Sequence, residues 1–158
     1  MRRTARHPAG RSCLEIACAG MADDCLFCGI VEGTIPSQTI GSDDRTVAFM
    51  DISPATPGHA LVVPRRHSAD LLEIEPEDLG ASVLAAQRLA RRMKEALEAD
   101  GVNLINACGA AAWQTVLHFH IHVVPRYEDD PLELPWVPKE GDPDEIAKVA
   151  ARLREGAP

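Results

Sequence analysis

The chain predicts an α+β domain built on a mostly antiparallel sheet, and three observations lead there. Five short runs have strand character, one long run has helical periodicity, and the two kinds do not alternate as βαβ units would. With 158 residues, 46% of them hydrophobic, the sequence suits a single domain with a modest core.

Taken in order, the first twenty residues, MRRTARHPAGRSCLEIACAG, hold four arginines and one glutamate on a chain of formal net charge −8. Arg2 and Arg3 open them like a signal peptide, but Glu15 breaks the short apolar part and no compact apolar stretch precedes a cleavage site. Residues 1–22 therefore read as a disordered extension, with Met21 as a second candidate translation start. The domain proper is expected over 23–128, and 129–158 as a tail ending in a short helix.

Asp23 and Asp24 can cap a helix over Cys25 to Glu32 that buries Leu26, Phe27 and Ile30 and stops at Gly33. Strands are expected at Gln38–Ile40, Thr46–Met50 and His59–Val63, separated by the turn-rich stretches GSDD and DISPATPG, as in an antiparallel meander. Pro76 to Asp100 is the long helix: Leu79, Val83, Ala86, Ala90, Met93 and Leu97 recur at three- and four-residue spacing and should face the sheet. Strands at Asn103–Cys108 and Thr115–Val124 complete a five-stranded sheet. After the proline-broken stretch DDPLELPWVPKEGDP, Asp142, Pro143 and Glu145 open a last helix expected to bury Ile146, Val149 and Leu153.

Several functional classes drop out on composition. No apolar run approaches the ~18 residues that span a bilayer, so no membrane partner is expected. The acidic body argues against a nucleic-acid surface, which needs clustered Lys and Arg. Five unevenly spaced cysteines do not form the framework of a small secreted domain, and reduced thiols in a cytoplasm follow.

On the last strand, period-two alternation gives His118, His120 and His122 one face and Phe119, Ile121 and Val123 the other, which goes to the core. Three imidazoles in a row are costly as decoration, because histidine has little β-propensity and is expensive to bury unpaired. Metal chelation and phosphate chemistry both suit neutral imidazole, and the spacing does not separate them. Likewise the Cys25-x-x-Cys28 pair reads as half a tetrahedral metal site, a redox pair or two buried cysteines.

The segment Gln114-Thr115-Val116-Leu117-His118-Phe119-His120-Ile121-His122-Val123-Val124-Pro125-Arg126 resembles the signature of the histidine triad (HIT) family of nucleotide hydrolases and transferases. CLFCGIV from Cys25, Ile35-Pro36-Ser37, AFMDI from Ala48, and PGHALVVP from Pro57 with His67 after it follow in that family's order. The resemblance runs from about Asp24 to Tyr127 and implies a HIT-like fold acting on purine nucleotides or their conjugates. It implies that His120 attacks an α-phosphorus to give a nucleotidyl-histidine, with its other ring nitrogen held by a fixed acceptor such as a backbone carbonyl. His122 would bind the phosphate, His59 support the site, and Gln114 and Thr115 contact phosphate and leaving group. Leu26, Phe27, Ile30, Phe49 and Ile52 would enclose the base, Asp51 would take the ribose hydroxyls, and Asn106 falls at a phosphate-contacting position.

The same resemblance completes a structural zinc site from Cys25, Cys28, His67 and His118, implies a homodimer with the tail near Trp136 reaching the neighbouring site, and calls for no organic cofactor. Two departures stand out. Trp113 takes a position that is glycine in much of the family, and the loop Asn106–Gly109 is one residue longer than its usual Asn-x-Gly. A catalytically idle nucleotide-binding or scaffolding module is the rival reading. The intact set of His59, Gln114, Thr115, His120 and His122 favours the enzyme.

Overall fold

The computed structural model describes residues 24–155, so the expectations for residues 1–22 and for Asp23 lie outside the described residues. Helix α1 (Leu26–Glu32) has Cys25 at its N-cap with no side-chain cap hydrogen bond, so Asp24 does not take the expected capping role. Its stop is as expected: Gly33 turns left-handed at φ 79° and sends its N–H back to the carbonyls of Gly29 and Ile30.

Strands β1 (Thr39–Ser42), β2 (Thr46–Met50), β3 (Ala60–Pro64), β4 (Gly101–Ile105) and β5 (Ile121–Arg126) form one antiparallel sheet in the order β1-β2-β3-β5-β4. Helix α2 (Pro76–Ala96) crosses one face. Alternation along β3 divides the core: Ala60 and Val62 join Phe119, Ile121, Val123 and Leu89 beneath α2, while Leu61 and Val63 join Phe27, Val47 and Phe49 under α1. Each face thus has its own apolar layer.

Five further expectations are corrected. The strand expected over Thr115–Val124 enters the sheet only at Ile121. Upstream of the Val62–Ile121 rung, the Pro64 carbonyl accepts the His118 ring at 2.9 Å, and the Phe119 N–H goes to Ser68 O at 2.7 Å. Side-chain and loop bonds thus replace the next ladder bonds, and the histidine-bearing segment lies beside the sheet rather than in it. The strand expected over Asn103–Cys108 is correspondingly displaced to β4.

Helix α2 buries Asp78, Ser82, Ala85, Ala86, Leu89 and Met93, leaving Val83 and Leu97 exposed. The contact stripe is rotated toward small residues, which let the helix sit close to the sheet. The helix also stops at Ala96 rather than Asp100, because Glu98 turns to φ 53° and the Asp100 N–H bonds to Arg126 O at 2.8 Å. Lastly, helix α3 (Pro143–Glu155) is capped by Asp142 as expected, but it buries none of Ile146, Val149 and Leu153. No helix among the described residues is long and apolar enough to cross a membrane.

Candidate functional site

Between α1, the sheet and the Thr115–His122 segment lies a cavity of about 490 Å³. Its walls include ten residues singled out from the sequence: Leu26, Phe27, Ile30, Phe49, Asp51, Ile52, His59, Thr115, His120 and His122. Phe27 and Phe49 form a T-shaped pair with centroids 5.5 Å apart, and Phe27 also meets the His120 ring edge-on at 5.2 Å. Ile52 stands at the rim, 96% exposed. A larger depression near Arg45, Arg66 and Asp78 holds charges already paired: Arg45 with Glu77 and Asp78, Arg66 with Asp78.

Two of the expected site residues stand apart from this cavity. The Gln114 amide is committed to the backbone: its Oε1 accepts the Gly109 N–H at 2.8 Å, and its Nε2 donates to Ala69 O at 2.7 Å and Val116 O at 3.1 Å. With Gln114 buried, this side chain holds the loop that carries Thr115 rather than reaching toward a ligand. Asn106 donates from Nδ2 to the His120 carbonyl at 2.8 Å, and its buried Oδ1 has no partner among the described residues. It positions the backbone of His120 and does not line the cavity.

Hydrogen bonds assign the ring tautomers one after another. A carbonyl accepts only from an N–H, so His120 bears its hydrogen on Nδ1, bonded to His118 O at 2.6 Å, and its Nε2 keeps a lone pair. His59 Nδ1 accepts the Ala55 N–H at 3.1 Å, which places the His59 hydrogen on Nε2. That hydrogen is donated across 2.9 Å to His122 Nδ1, leaving His122 with an N–H at Nε2. Burial, the dominant effect in each case, pushes the pKa of His59 and His120 down and that of His122 down to about 4. All three rings are thus neutral near pH 7. The approaches of Asp51 Oδ2 to His59 Nε2 (3.6 Å) and His122 Nδ1 (3.8 Å) are therefore contacts of a carboxylate with neutral rings rather than ion pairs.

Behind the cavity, Cys25, Cys28, His67 and His118 bring four donor atoms within 4.8 Å of one another. His118 Nε2 donates to Pro64 O at 2.9 Å, so its Nδ1 turns a lone pair to the sulfurs of Cys25 and Cys28, each at 3.5 Å. His67 Nδ1 is 3.4 Å from Cys28 Sγ. A tetrahedral ion with bonds of ~2.3 Å to sulfur and ~2.0–2.1 Å to nitrogen has S···N edges of about 3.6 Å, so this donor set fits one. Burial, then the neighbouring Cys25, push the Cys28 thiol up to about 12, and a bound cation would reverse that by binding the thiolate.

Sequence reasoning missed the main-chain partners Ala55 N–H, Pro64 O and His118 O, which carry no residue-type signal. It also missed Ile35, Pro36 and Val116 in the cavity wall, as well as Leu61, which strand alternation with Val63 could have supplied.

The HIT domain family profile matches residues 32–129 of the chain. The chain belongs to the HIT family. Among relatives of this HIT protein, the Bacillus subtilis protein named Protein hit is 33% identical over 135 residues, covering 84% of this chain and 93% of its own. A zinc-bound histidine triad family protein from Mycobacterium smegmatis has a TM-score of 0.68 at 37% identity, over 86% of this chain and 99% of its own. A histidine triad nucleotide-binding protein from Candida albicans has a TM-score of 0.74 at 30% identity, over 84% and 96% of the two chains.

Proposed function

We propose that this HIT protein is a nucleotide hydrolase or transferase that acts at the α-phosphate of a purine nucleotide conjugate through a covalent nucleotidyl-histidine on His120. The observation that carries the reading is the His120 tautomer. With Nδ1–H anchored on a main-chain carbonyl, the unprotonated Nε2 is the nitrogen left to attack, and burial keeps it unprotonated at neutral pH. Likeness to a nucleotide-binding HIT protein supports the same reading.

In the first step His120 Nε2 forms an N–P bond as the bond from phosphorus to the leaving nitrogen or oxygen breaks. The His122 Nε2–H would stabilise charge on the non-bridging oxygens, and Thr115, which lines the cavity, would pass a proton to the leaving group. Water or another acceptor then attacks phosphorus and His120 leaves. The aromatic and aliphatic wall from α1 and β2 would sandwich a purine, and Asp51 would accept from ribose hydroxyls. Phosphoramidates and dinucleoside polyphosphates are the substrate classes.

Zn²⁺ would be held by Cys25, Cys28, His67 and His118, a closed set with no position left for a reacting water. Its part would be to pin α1 over the cavity. Exposed Leu104 and Ile105 on the edge strand β4 support a homodimer, and the three described cysteines, none in a disulfide, suit a reducing cytoplasm.

Incubation with an adenosine phosphoramidate tests the reaction: wild type should release AMP, and His120→Ala should lose at least a thousandfold in rate. Acid quenching during turnover should trap AMP bound to His120. Equal rates in the two proteins would refute the assignment.

A further inference from the structure

The cavity holds one charge that no cation offsets. The Asp51 side chain is only 15% exposed, and its Oδ1 accepts the Ser53 N–H at 2.7 Å. Its Oδ2 has no hydrogen bond among the described residues, and no lysine or arginine there pairs with it. Oδ2 lies 3.6 Å from His59 Nε2 and 3.8 Å from His122 Nδ1, themselves 2.9 Å apart. The point equidistant from these three atoms lies about 2 Å from each, which matches the ~2.0–2.2 Å bonds that zinc makes to imidazole and carboxylate.

We propose that Asp51, His59 and His122 form a second transition-metal site, distinct from the Cys25, Cys28, His67 and His118 set and open toward the cavity. Two imidazoles and a carboxylate without sulfur suit Zn²⁺, Co²⁺ or Mn²⁺, and three protein ligands leave coordination positions for water. The partly buried carboxylate, with no lysine or arginine partner among the described residues, supplies the charge that would draw a cation in. One feature weakens the site: ligation through His59 Nε2 requires its hydrogen to move to Nδ1, which gives up both the bond from the Ala55 N–H and the bond to His122 Nδ1. Loss of two such bonds lowers affinity about a hundredfold, so occupancy is reversible where the thiolate set is not.

A metal held here takes the Asp51 carboxylate away from the ribose hydroxyls, so metal and AMP compete for that side chain, while ligation through His122 Nδ1 leaves its Nε2–H in place. That consequence rests on the function proposed above; the site itself does not.

The test is a Co²⁺ titration of the full chain already carrying one equivalent of zinc. A second equivalent should bind with the visible bands of nitrogen and oxygen ligation and no thiolate charge-transfer band, and excess AMP should release it. Asp51→Asn, which keeps the side-chain shape, and His122→Gln should each weaken cobalt binding tenfold or more. His120→Ala should bind cobalt normally. Should that variant still release AMP while cobalt binding follows this pattern, the nucleophile assignment fails and the metal site stands. The site is overturned if no second equivalent binds, if the spectrum shows thiolate ligation only, or if Asp51→Asn binds as wild type. Cobalt that stays bound under saturating AMP overturns the competition.

Discussion

Replacing Cys28 by serine removes one of two thiolates from a set whose sulfur-to-nitrogen spacings are 3.4 to 3.5 Å, already close to a zinc tetrahedron. Because little rearrangement is needed to bind the ion, its binding energy goes almost entirely into the folded state. With free zinc at a hundred to a thousand times its dissociation constant, stabilisation is about 2.7 to 4 kcal/mol. For a folded body of this size, each kcal/mol moves the midpoint by roughly 3–4 °C, so the variant should melt about 10–15 °C below the zinc-loaded protein. Calorimetry should show the same drop for wild type treated with a chelator and no further drop when Cys28→Ser is treated. Since Leu26, Phe27 and Ile30 ride on the helix that zinc would pin, chelation should, on the proposed function, raise KM for nucleotide before it lowers kcat. One zinc per chain is expected by mass spectrometry. A chelator shift under 3 °C, or an equal shift in Cys28→Ser, would refute the reasoning.

With zinc chelated, burial holds His118 and His122 at about 4, below their unfolded value near 6.5. Protonation therefore favours the unfolded chain: their contribution is complete above pH 6.5 and is lost as pH falls through about 4. Urea midpoints should hold steady from pH 8 to 6.5 and fall below that; a maximum at pH 5 would contradict this. Gly58→Ala puts a methyl 2.5 Å from Leu97 Cδ1 and 3.0 Å from Pro125 Cγ at φ +96°, next to His59. It should cost about 2–4 kcal/mol in chemical denaturation, and a loss under 1 kcal/mol would show that the loop adapts freely. Gln114→Ala strands three backbone groups and should cost about 3 kcal/mol. If stability held while kcat fell, Gln114 would return to the substrate contacts.

Period-two alternation correctly set Ile121 and Val123 beneath α2 and His122 on the cavity side, because β5 is regular there. It held upstream as well, with Phe119 beneath α2 and His118 and His120 against Phe27; what it could not show is that this segment leaves the ladder, because its partners are taken by an imidazole and by Ser68, a tertiary competition without a periodic trace. Helix existence and caps at Gly33 and Asp142 were legible because local backbone groups decide them. The buried stripe of α2 was misjudged at Val83 because apolar character was counted where small size decided the contact. Ile146, Val149 and Leu153 make a good amphipathic pattern on α3, but a pattern names a face and not its cover. Within the site, residue types pointed to the cavity walls, whereas the Asn106 and Gln114 amides bond to the backbone outside the cavity, because an amide serves a loop carbonyl as readily as a phosphate.

The hydrogens on the His120 and His59 rings are governed from the main chain, one by a carbonyl at residue 118 and one by an amide at residue 55. Side-chain replacement cannot delete a carbonyl, and only proline deletes an amide hydrogen. The protonation pattern of this centre is therefore inherited with the path of the chain. Sequence drift at Ala55 or along the loop should leave it intact so long as the fold survives, and relatives with different side chains there should titrate alike.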